Sequence, residues 1–110
     1  MQQATSHIAY EYASMPVTAM AEDYPDRHFI SAHSHRRAQF LYATEGVMII
    51  EASAGRWVVP PSRGVWLQAH VEHSVRMRGN VCMRTLFVDP QTIPGLPQGN
   101  AVVSLSLIHI

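Results

Sequence analysis

Apolar residues in this chain recur at every second position, which is the period of a strand and not of a helix. From Ser74 the chain reads SVRMR, so Val75 and Met77 point one way while Ser74, Arg76 and Arg78 point the other. Gly79-Asn80 has the chemistry of a tight turn, and VCMRTLFV (81–88) follows at once, which predicts a β-hairpin closed by Asp89-Pro90. Upstream, AQFLYA (38–43), a turn at Thr44-Glu45-Gly46 and VMIIEA (47–52) predict a second hairpin. Ser53-Ala54-Gly55 turns the chain again into RWVV (56–59); Pro60 to Gly64 is a rigid break before VWLQ (65–68). His28 to Ala32 adds one more strand. Short strands this closely spaced, with turn residues between them, predict an all-β antiparallel sandwich or small barrel.

Composition narrows the chemistry. The 110 residues are enough for one core. Eight basic and eight acidic residues cancel, so no net field draws nucleic acid or an anionic membrane. All eight basic residues are arginines, which excludes lysine Schiff-base chemistry and a lysine-dependent phosphate loop. The single cysteine, Cys82, excludes an internal disulfide and a multi-cysteine zinc site; it reads as a small core residue. No apolar run reaches the roughly 18 residues of a membrane span, and MQQATSHIAY lacks the pattern of a secretory leader. The expected location is the cytoplasm, with no membrane partner.

One constellation can carry chemistry. His33 and His35 lie two apart and share a face if their segment is extended, and His73 has the inward parity of Val75 and Met77. A barrel of this order can bring the three imidazoles into one interior. Neutral nitrogen donors suit zinc, iron, nickel or copper, and Gln39 offers a weaker oxygen. The same residues can equally hydrogen-bond a polar ligand, and no carboxylate completes a metal set. His70 reads as solvent-facing, His7 and His28 have no visible partner, and Arg36 and Arg37 read as cover for a solvated edge. Arg76, Arg78 and Arg84 read as an exposed stripe. Phe40, Tyr42, Trp57 and Trp66 read as core or pocket wall. There is no nucleophile elbow, phosphate-cradling glycine loop or carboxylate pair.

The run from His33 to Val75 combines H-S-H-R-x-x-Q, a strand ending in Gly46, a W-V-V-P-P turn and a V-W strand closed by His73. In this it resembles the N-terminal cupin domain of AraC-family transcriptional regulators, and more loosely so from about Tyr10 to Val103. The resemblance implies a cupin-type small barrel, a jelly-roll-like antiparallel sandwich, incomplete at its C-terminal end. It also implies a ligand-sensing and dimerisation domain with a small-molecule effector, a homodimer, and DNA contacted only through a following helix-turn-helix domain that is absent here. His33 and His35 fall on the first cupin motif and His73 on the last histidine of the second, with Gln39 where metal-binding cupins have glutamate. The group usually reads P-A-G before that histidine, where Gln68, Ala69 and His70 stand here. The expected ligand wall is His33, His35, Gln39, Tyr42, Trp66 and His73, with no cofactor and no catalytic residue. The alternative is a small metal-dependent cupin enzyme, a dioxygenase or isomerase, holding one divalent transition metal ion on His33, His35 and His73.

The expected organisation is an N-terminal arm or edge strand over 1–27, the barrel over 28–104, and a foreign tail over 105–110. The tail LSLIHI is what CTG TCT CTT ATA CAC ATC encodes, a string resembling a transposon mosaic end used as a sequencing adapter. The natural gene is therefore expected to continue past about Ser104.

Overall fold

The computed structural model describes residues 14–105. Among these, all regular structure is β: β1 (Val17–Tyr24), β2 (Phe29–His33), β3 (Ala38–Ala52), β4 (Gly55–Val59), β5 (Arg63–Leu67), β6 (His73–Val88) and β7 (Ala101–Ser104). All pairings are antiparallel. The five residues 106–110, most of the tail expected to be foreign, lie outside the described residues.

Both hairpins expected at Gly46 and at Gly79-Asn80 are absent. Instead β3 and β6 run straight through these points as strands of 15 and 16 residues, paired with one another from Ala38↔Val88 to Ala52↔His73. The turn residues serve a shared bend. Register shifts fall between Ala43 and Val47, and Gly46 and Gly79 take positive φ values of 82° and 74°. A bulge lets one strand bend and twist without leaving its partner. Glycine is required at 46 for a second reason: a Cβ there would collide with the Asn80 carbonyl oxygen and stand 2.8 Å from Val81 Cγ2.

The bend divides the pair between two layers. The first half of β6 and the second half of β3 carry β2 and β4; the opposite halves carry β1 and β5, and β7 pairs with β5. The core between the layers is drawn from every second residue: Met20 and Tyr24, Leu41 and Ala43, Met48 and Ile50, Val65 and Leu67, Val75 and Met77, Val81, Met83 and Phe87. The β3–β4 connection turns where expected but more tightly, over Ser53 and Ala54 alone, with Gly55 already paired opposite Ala52. Pro60–Ser62 forms a turn in which Arg63 N donates to the Pro60 carbonyl over 3.0 Å. Val17–Tyr24 is a strand at the sheet edge, paired to β6 along its whole length.

Candidate functional site

Three segments deliver one histidine each to the same end of the sandwich. His73 opens β6 and is buried at 3% exposure; His35, in the β2–β3 connection, is buried at 4%; His33 closes β2 and is half-buried. Their donor atoms all lie within 4.8 Å of one another. Ring centroids are 4.7 Å apart for His33–His35, 4.7 Å for His33–His73 and 5.5 Å for His35–His73. Phe87 walls the cluster with its ring edge-on to His35 at 5.5 Å.

Local structure explains the convergence. Along β2 the register runs Phe29↔Arg76 and Ile30↔Val75, then shifts so that His33 stands opposite His73. Unshifted pairing would set His33 opposite Glu72 and on the outward parity of its strand. The irregularity between Ile30 and His33 turns it inward, as bulges beside sites commonly do.

Backbone contacts set the chemistry of two rings. His33 Nδ1 donates to the Ser31 carbonyl at 2.7 Å, and His73 Nδ1 to the Val71 carbonyl at 3.0 Å. Each contact selects the tautomer with a lone pair on Nε2. Burial, aided by the nearby His33 and opposed by the Val71 hydrogen bond, pushes the His73 pKa down to about 4, so its ring is neutral at pH 7. Both ring nitrogens of His35 are buried. The set is therefore a cluster of ring nitrogens at one end of the fold, with His35 and His73 buried and His73 held neutral. It fits either a divalent transition metal, which requires neutral imidazoles, or a ligand with hydrogen-bonding groups.

The other expected wall residues divide. Gln39 is buried at 5% on the inward side of β3, opposite Phe87 and Leu67, and so belongs to this end of the interior. Tyr42 and Trp66 do not. Tyr42 alternates with the core residues Leu41 and Ala43, and Trp66 with Val65 and Leu67, so both lie on the outer face. Trp66 packs with Ala38 and Val88 beneath Ile93 and Leu96, its Nε1 buried without a hydrogen-bond partner, and Tyr42 borders a shallow surface groove beside β1. Neither forms a wall around the histidines.

Three further expectations are corrected. Arg37 is buried at 3%, not spread over a solvated edge; its Nη1 donates to the Pro16 carbonyl at 3.5 Å. Its parity with Gln39 and Leu41 was the available signal. Arg84 is half-buried and sits beyond the bend from Arg76 and Arg78, which remain exposed, so the three do not form one stripe. Cys82 is half-buried on the outside, with Met83 in the core. Thr85 and Phe87 belong to the interior and were not singled out; Thr85 Oγ1 is buried without a hydrogen-bond partner. His70 is exposed as expected, but its backbone takes φ 65° and its N–H holds the His35 carbonyl at 2.7 Å. The departure from glycine thus falls where glycine's freedom is useful.

Solved structures share this architecture. An RmlC-like cupin from Shewanella frigidimarina matches with a TM-score of 0.62 at 17% identity, over 70% of this chain and 69% of that one. ToxT from Vibrio cholerae, solved with a bound unsaturated fatty acid, matches with a TM-score of 0.65 at 8% identity, over 84% of this chain and 42% of that one. At these identities the likeness shows the fold, a cupin jelly roll. In sequence, the HTH-type transcriptional regulator NimR of Escherichia coli is 33% identical over 61 residues, 56% of this chain. The matched stretch is 22% of that regulator's length. The AraC-like ligand binding domain matches residues 15–102, almost all of the described chain, and the chain belongs to that family.

Proposed function

We propose that this chain senses a small-molecule effector at its histidine end and forms the dimerising half of an AraC-type transcriptional regulator. The observation that carries the reading is the convergence of His33, His35 and His73, the last two buried, in a domain of this family. The effector would displace the equilibrium between two arrangements of the domain by binding one of them better. Its recognition would come from imidazole lone pairs and N–H groups, with Gln39 and Phe87 bounding the space. DNA would be contacted by a separate helix-turn-helix domain of a longer protein working in the cytoplasm. This chain alone is then expected to give no sequence-specific shift of DNA at physiological salt.

The test is a ligand-observed NMR screen of small carboxylates, phenols and amides against the untagged chain. A true effector binds wild type and is lost in a His35→Ala, His73→Asn double variant that remains folded. Binders indifferent to that variant would refute the site.

A second reading follows from the same donors. His33, His35 and His73 would hold one divalent transition metal, which supplies a Lewis acid able to polarise an oxygen ligand. The residues' own part would be to present three neutral nitrogens with tautomers set by Ser31 and Val71. Equilibrium dialysis against nickel or zinc separates the readings: one ion per chain, lost on His35→Ala, supports the metal. Metal-dependent turnover of a substrate would replace the sensor with an enzyme.

A further inference from the structure

Between β5 and β6 the chain crosses residues 68–72, which belong to no strand. Their hydrogen bonds run in two directions. Gln68 reaches away from the histidines: its N–H donates to Asn100 Oδ1 at 2.9 Å, and its Nε2 donates to the Pro97 carbonyl at 2.5 Å. The far end reaches into the site. The His70 N–H donates to the His35 carbonyl at 2.7 Å, and the Val71 carbonyl accepts from His73 Nδ1 at 3.0 Å. A turn joins the two ends, closed by the Val71 N–H on the Gln68 carbonyl at 3.4 Å. His70 holds φ 65° within it, a conformation that a side chain keeps only where its surroundings impose it.

The footing beneath Gln68 is fixed on its own account. Ile93 and Leu96 pack on the cluster of Ala38, Trp66 and Val88, and Ala101 pairs with Trp66 where β7 begins. Pro97 and Asn100 lie between these anchors. We propose that Gln68 is a positioning residue for the histidine site: tied to Pro97 and Asn100, it sets the connection that carries the acceptor for the His73 ring and the donor for the His35 backbone. His73 keeps its proton on Nδ1 while the Val71 carbonyl stays in reach. Val71 is bonded back to Gln68, so a displacement of Gln68 is passed to that carbonyl. The same displacement draws the His70 N–H from His35, which lies between β2 and β3 where no ladder pairing fixes it. The consequence for ligand recognition rests on the histidine end being the binding site.

Long-range 1H–15N spectra of the histidine rings in the ligand-free chain at pH 7 test this, with amide hydrogen exchange and circular dichroism beside them. Asn100→Ala removes the acceptor of the Gln68 N–H, and Gln68→Glu replaces the Nε2 donor with an oxygen. Each should cut the Nδ1–H population of His73 to about half or less and shift the His35 ring signals. The Gln68 amide should exchange about tenfold faster in Asn100→Ala. Asn100→Asp, which keeps an acceptor oxygen, should match wild type in both readouts. Wild-type ring signals in Asn100→Ala, with the Gln68 amide exchanging faster, would make the anchor a support of 97–104 alone and overturn the proposal. An amide that exchanges no faster overturns it as well, since the bond would then hold nothing. Asn100→Ala decides by itself if Gln68→Glu does not fold. No effector enters these spectra, so failure of wild type to bind one strikes the sensing reading, while rings indifferent to the anchor strike this one.

Discussion

Replacing His73 with asparagine removes one titrating ring while keeping a donor near the position of Nδ1, which bonds the Val71 carbonyl. The folded pKa of His73 is about 4 against 6.5 for the unfolded chain, chiefly because the ring is buried. Between those values the native state holds fewer protons than the unfolded one, so stability rises with pH in that window. The stability of the neutral ring is complete above pH 6.5 and is lost as pH falls toward 4. A shift of this size corresponds to about 3 kcal/mol in full, of which most has gone by pH 4.5. Urea unfolding of wild type and His73→Asn at pH 7, 5.5 and 4.5 isolates the effect. Carboxylates elsewhere titrate in both proteins and cancel in the difference. The variant loses packing at every pH, but the gap should narrow by about 2–3 kcal/mol from pH 7 to 4.5. Parallel profiles would refute the burial argument.

The bend gives a paired comparison: Gly46→Ala should destabilise by about 2 kcal/mol or more, since positive φ and the Asn80 carbonyl both oppose a Cβ. Gly79→Ala, with positive φ but open space around it, should lose only about 1 kcal/mol in the same urea titration. His70→Gly should raise the unfolding midpoint by the equivalent of about 0.5–1 kcal/mol, because a side chain at φ 65° is strained. Phe87→Ala should cost about 3–5 kcal/mol as a fully buried aromatic, and should change the His35 imidazole NMR shifts that its ring edge now perturbs.

Strand content and the inward parity of His73 were legible because a period of two assigns faces without knowing partners. The approach of His33 to His73 does not follow from that period, since alternation from Ile30 turns His33 outward. What misled was glycine. Gly46 and Gly79 carry ordinary turn signals, yet they lie on strands already paired, and each strand bends because its partner bends at the same level. A local signal cannot tell a chain reversal from a bend in a long strand, since the deciding contact lies more than 30 residues away, between Gly46 and Asn80. Tyr42 and Trp66 were misplaced for a different reason. Aromatic residues usually point to the core, but here alternation with Leu41 and Val65 sends them outward, where Trp66 is buried by a loop that has no periodic pattern.

In β2 a one-residue shift decides which side of the strand a residue serves. Ile30 and Val75 are partners in the core, and three residues on from Ile30, simple alternation would turn His33 to solvent. A single extra residue in β2 reverses that parity, and it does so only past the point where the hydrophobic core has been filled. The irregularity therefore costs no apolar burial: the exposed Ser31 and Ala32 take it up. The Ser31 carbonyl then accepts from His33 Nδ1, so the residue displaced by the bulge also orients the ring the bulge turns inward. A site assembled this way depends on backbone register more than on any one side chain. Its donors stay close together as long as β2 keeps its shifted pairing with β6.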